Sequence, residues 1–123
     1  MIKKTLIALF LILLAAVNGH CFQPEDWQAA PSRQTDDATI HTGVGWLYGI
    51  WVETDGTNDV TVTIYDNTAA SGTKIGNTFT VEASKRFRAI DFGNSTPVPF
   101  NTGLTVDVTT AGTVEYTVFY RGQ

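Results

Sequence analysis

From Ala38 onward, apolar and polar residues alternate with a period of two, the pattern of strands that bury one face and wet the other. In residues 45–53 the alternation puts Trp46, Tyr48, Ile50 and Val52 on one face and Leu47, Gly49, Trp51 and Glu53 on the other. Val60, Val62 and Ile64 alternate with Thr61, Thr63 and Tyr65, and Phe79 and Val81 with Thr78, Thr80 and Glu82. Leu104, Val106 and Val108 alternate with Thr105, Asp107 and Thr109, and Val114, Tyr116, Val118 and Tyr120 with Glu115, Thr117 and Phe119. Residues 86–92 break the rule, because Arg86 and Arg88 share parity with Ile90 and Phe92; a bulge or a change of face is predicted there.

The connections carry turn residues. Asp55-Gly56-Thr57-Asn58 lies between two strong strands and predicts a hairpin, and residues 66–72 (DNTAASG), 93–95, 101–103 and Ala111-Gly112 are turns of the same chemistry. Nineteen threonines suit the wet side of half-buried sheets. No stretch after Val17 has a helical stripe. Short strands spaced by about 8 to 12 residues predict an all-β fold, a single antiparallel β-sandwich of jelly-roll type with seven or eight strands over residues 38–123.

The first residues follow another logic. Lys3 and Lys4 precede an unbroken apolar run of twelve, residues 6–17 (LIALFLILLAAV). As a helix it would span about 18 Å, short of a hydrocarbon layer of about 30 Å. Residues 1–21 are therefore expected to be a signal peptide helix, with an uncleaved membrane anchor as the alternative. The product is expected to be exported: secreted, periplasmic or on the cell surface. Cys21 follows the apolar run, but Asn18 and His20 depart from the context that lipidation of such a cysteine requires. Residues 22–37 (FQPEDWQAAPSRQTDD), with two prolines and no period, read as an arm.

Composition narrows the task. The chain has 123 residues, a net charge of −4 and one cysteine. That length suits one domain, the acidic balance argues against a nucleic-acid partner, and a lone cysteine makes neither an internal disulfide nor a thiolate metal site. No cofactor motif is present. His20 and His41 are the only histidines, and no serine has a nucleophile-elbow context. His41 reads as a surface or capping residue. Asp36, Asp37, Asp55, Asp59 and Asp66 fall in predicted turns, where aspartate serves the backbone. Glu53, Asp55, Asn58 and Asp59 offer hard oxygens but match no EF-hand frame. Catalytic residues are not expected.

Aromatic and basic residues are the better candidates. If Trp46, Tyr48, Ile50 and Val52 fill the core, then Leu47, Trp51 and Phe119 form an apolar outer patch of the kind that marks a contact surface for a second copy or another surface protein. The arm, through Trp27, is the alternative cover. Trp51 with Arg86 or Arg88 would be a glycan contact, and Lys85, Arg86 and Arg88 are the one basic cluster.

Several segments then resemble a known group. Gly49-Ile50-Trp51-Val52, residues 54–67 (TDGTNDVTVTIYDN), 69–74 (AASGTK), 100–106 (FNTGLTV) and Val118-Phe119-Tyr120-Arg121 resemble small β-sandwich modules of tailed-phage virion-surface proteins, of head-fibre and decoration type. The resemblance covers residues 45–121. It implies a non-enzymatic module that presents surface or cements an assembly, and a virion location. Tailed-phage particles assemble in the cytoplasm, so the export signal departs from the group; location is taken from the signal and fold from the resemblance.

Overall fold

The computed structural model describes residues 30–92 and 96–123. The expected signal peptide, Cys21 and Trp27 lie outside the described residues. The strands are β1 (Ala30–Gln34), β2 (Ala38–Thr42), β3 (Gly45–Thr54), β4 (Val60–Asp66), β5 (Thr73–Lys74), β6 (Phe79–Val81), β7 (Phe87–Asp91), β8 (Val98–Phe100), β9 (Gly103–Thr110) and β10 (Val114–Gly122). A 3-10 turn covers Ala83–Lys85. One sheet runs β1-β10-β3-β7 with β8 also on β3, and the other runs β2-β9-β4-β5 with β6 also on β4. Every pairing is antiparallel.

Two strand positions are each shared by two short segments, β7 with β8 and β5 with β6, which leaves eight positions. The partners β1 with β10, β2 with β9, β3 with β7 and β8, and β4 with β5 and β6 are those of one long ribbon doubled back and rolled into two layers, the jelly roll the strand spacing predicts. The layers close on Leu47, Ile50, Val52, Phe100, Tyr116 and Val118 from the first sheet and Val60, Val62, Ile64, Leu104 and Val106 from the second. Each such side chain contributes about 1.5–3 kcal/mol by leaving water.

Three expectations fail for physical reasons. The arm does not run to Asp37: residues 30–34 are an edge strand paired with β10, so the sandwich begins before Ala38. Pro31, which has no N–H to donate, is tolerated at such an edge. The segment after β3 is not a hairpin, since β3 and β4 belong to different sheets and Asp55-Gly56-Thr57-Asn58 carries the chain between layers. The third failure concerns Leu47. The β3–β10 register passes from Gly49 opposite Phe119 to Leu47 opposite Tyr120, so Tyr48 is an extra residue and the face inverts there. Leu47 is 0% exposed and belongs to the core, while Trp46 and Tyr48 are half-buried. The Phe92 N–H bonds the Tyr48 carbonyl at 2.8 Å, which satisfies the bulge.

Candidate functional site

The outer face of the first sheet carries the candidate site. Below the bulge the parity of β3 holds, and Trp51 stands between Thr117 of β10 and Ala89 of β7. It is 48% exposed, and Phe87, the cross-strand partner of Glu53, is 57% exposed. Their ring centroids are 6.0 Å apart with planes at 59°, a tilted contact. Phe119, opposite Gly49 and two positions from Thr117, shares this face and is half-buried. The structure thus keeps Trp51 and Phe119 together, removes Leu47, and adds Phe87. Phe87 is legible only from the β3–β7 register, because its own segment has no clean alternation.

Polar groups border the rings. Glu53 and Glu115 stand directly opposite one another on β3 and β10, a like-charge arrangement that opposes pairing. Arg33 of β1 reaches Glu115 as an ion pair. Arg33, Trp51, Glu53, Glu115, Tyr116 and Thr117 line an open depression of about 220 Å³. The outer side of the second sheet is different: hydroxyl pairs Thr61–Thr80 and Thr63–Thr78, at 3.3 and 2.9 Å, make it a polar surface.

The two candidate arginines are not on Trp51's face. Arg88 lies opposite Val52 and so has the parity of the buried side. From this edge strand it crosses to the other sheet, its guanidinium carbon 5.4 Å from the Phe79 ring centroid and its Nη1 donating to the Thr80 carbonyl at 3.4 Å. An inward charge on an edge strand blunts edge-to-edge pairing. The predicted bulge in this segment is absent, since β7 stays in register with β3; the irregularity sits at Arg86, whose φ is +59°. The Arg86 guanidinium lies beside Gly56, and its carbonyl accepts the Thr54 N–H at 2.7 Å.

The aspartates serve the backbone. Asp55 accepts from the N–H groups of Thr57 and Asn58, from the Asn58 amide, and from the Thr113 N–H in the connection from β9 to β10; these bonds hold its carboxyl well below the usual range. Asp66 receives the N–H groups of Asn101, Thr102 and Gly103. Desolvation pushes its pKa up, and the three donors outweigh it and lower the pKa. Asp59 caps Ala83, and Asp37 binds the Val108 N–H at 2.7 Å. Asp107 is shifted upward, by desolvation first and then by the charge and hydrogen bond of Asp37, with Lys74 opposing.

His41 is neither a surface nor a capping residue. Its ring packs between Phe100 and Tyr120, with centroids at 5.8 and 5.6 Å, and occupies the space a side chain on Gly122 would need. Its Nε2 is buried and has no hydrogen-bond partner among the described residues. It therefore closes one end of the core. Among the described residues no three His, Cys, Asp or Glu side chains group as metal ligands, and no helix is long and apolar enough to cross a membrane. Comparison with protein-family models, curated proteins and solved structures found no match to this chain.

Proposed function

We propose that the protein is a non-catalytic structural or attachment module, of the kind found on phage virion surfaces, exported by its leader and docking through the outer face of its first sheet onto further copies of itself or onto the assembly it decorates. The observation that carries this reading is the contact pair Trp51–Phe87, two large rings about half in water on the outer face of a sheet. Exposed aromatic pairs of this kind concentrate binding energy when a partner excludes water from them. The contrast between the sheets supports the choice of face, because the outer side of the second sheet is laced by threonine hydroxyl pairs, with Thr63 buried among them, whereas the first leaves rings in water.

Light scattering on the full-length protein tests the reading. The wild type is expected to exceed monomer mass, and Trp51→Ser is expected to lower that mass with no loss of folded structure by circular dichroism. A variant with the wild-type oligomeric mass would remove the face from the interface, and a monomeric wild type would remove self-association.

A further inference from the structure

We propose that Trp51, Phe87 and Glu53, neighbours on the outer face of the first sheet, receive the guanidinium of an arginine side chain presented by the protein docked there. The inference rests on the docking reading and adds the chemistry of the partner.

Docking over Trp51 and Phe87 necessarily covers Glu53. Its cross-strand neighbours are Phe87 on one side and Glu115 on the other, and Trp51 lies two residues away on the same face. Glu115 has Arg33, whereas Glu53 makes no ion pair or side-chain hydrogen bond with the described residues. Arg86, though adjacent in sequence to Phe87, sits beside Gly56. One cation thus serves two opposed carboxylates at the rim of an apolar patch. Asp55, held ionised by its turn, adds negative charge to the adjoining hollow, which Glu53 and Glu115 also line.

Covering an unpaired carboxylate with an apolar surface is costly, because water is removed and nothing replaces it. Neutral N–H donors can hold a single carboxylate, as they do at Asp55 and Asp66, but Glu53 faces Glu115 and borders Asp55, and a cation offsets that accumulated charge as well as supplying donors. Arginine fits better than lysine: a planar, weakly hydrated guanidinium stacks on a ring face while its edge donates to a carboxylate, and the ammonium of lysine does not combine the two as well. The chain itself uses one half of this arrangement where Arg88 lies over Phe79.

The test is an NMR titration of the full-length protein, following the Trp51 indole N–H, assigned through Trp51→Phe. The probes are the capped tripeptide glycyl-arginyl-glycine, its lysine and citrulline analogues, and maltose as a neutral saccharide. The arginine peptide is expected to shift the resonance saturably, more tightly than the lysine peptide, and the uncharged citrulline peptide to leave it in place. Glu53→Gln is expected to weaken the arginine response about fivefold, and added salt to weaken it in the wild type. An equal response from citrulline, an unchanged response in Glu53→Gln, or a shift with maltose alone would overturn the proposal. If Trp51→Ser lowers the oligomeric mass while arginine gives no shift, this inference fails and the docking reading stands; if arginine binds while the mass is unaffected, the docking reading alone fails.

Discussion

The Tyr116 hydroxyl donates to the Asp36 carbonyl at 2.6 Å, tying the last strand of one sheet to the corner where the chain leaves that sheet for the other. The ring is 1% exposed, so the hydroxyl is the one part of the side chain that reaches the rim of the core. Removing it in Tyr116→Phe is expected to cost about 1 kcal/mol, equivalent to about 4–8 °C in Tm for a domain of this size, measured by thermal unfolding. Burial raises the phenol's pKa, and the charges of Asp37 and Asp36 raise it further. A raised folded value means that the native state holds the proton more tightly than the unfolded chain. Stability is then expected to fall as pH rises beyond an unfolded tyrosine's value of about 10, and Tyr116→Phe should flatten that fall.

The bulge at Tyr48 separates two residues that simple alternation puts together. Leu47→Ala should cost about 2–5 kcal/mol, as for a large core side chain truncated to a methyl. Trp51→Ser, on the wet side, should change stability by less than about 1 kcal/mol. Urea unfolding of both variants checks the assignment, and equal costs would contradict it.

Most of the sandwich was legible because period-two alternation is a direct record of a one-sided sheet. It survives in Val60, Val62 and Ile64, all buried, and in Val114, Tyr116 and Val118. The candidate site was legible only in part. Trp51 and Phe119 keep their parity, but Leu47 does not, because an inserted residue inverts every face on one side of it and leaves no mark in composition. Asp55-Gly56 reads as a hairpin since turn chemistry specifies a local reversal and not which sheet the chain rejoins. Arg33, Glu115 and Phe87 enter the site through strand pairings between residues distant in sequence, beyond the reach of any local pattern.

Arg86 is the one non-glycine described residue with positive φ, at +59°. A side chain in that region costs of order 1 kcal/mol or more. Arg86→Gly is therefore expected to raise Tm or leave it unchanged despite losing the side chain beside Gly56, and Arg86→Val to lower it. Thermal melts of the pair decide this; a glycine variant less stable than the valine variant would mean that the arginine's contacts outweigh its backbone strain.

Asp55 joins two of the connections that cross between sheets, β3–β4 and β9–β10, and Gly112 leaves the space for it: a Cβ on Gly112 would collide with the Asp55 carboxylate. Gly112→Ala is expected to destabilise by about 1–3 kcal/mol. In an Asp55→Gly background the same alanine meets only the Asn58 amide, whose hydrogen bond to Asp55 is then gone and which can swing away, so the two costs should be strongly non-additive. A double-mutant cycle in urea would show the coupling, and additive costs would mean that the crossovers do not touch.

The carboxylates also set opposing pH dependences. Asp55 and Asp66 have lowered folded pKa values, so their stabilisation is present at neutral pH and is lost as pH falls below the ordinary carboxylate range. Asp107 is raised by desolvation and by Asp37, so the fold prefers it protonated: its contribution is present in acid and lost as pH rises through its folded value. At pH 7 the ionised Asp107 faces the carboxylate of Asp37 with Lys74 as partial compensation, and Asp107→Asn should raise Tm there. Near pH 3 the wild-type group already carries its proton, and the gain should vanish. Melts of the wild type and Asp107→Asn at the two pH values measure this directly, and an Asn variant less stable at neutral pH would show that the Lys74 attraction outweighs the repulsion from Asp37.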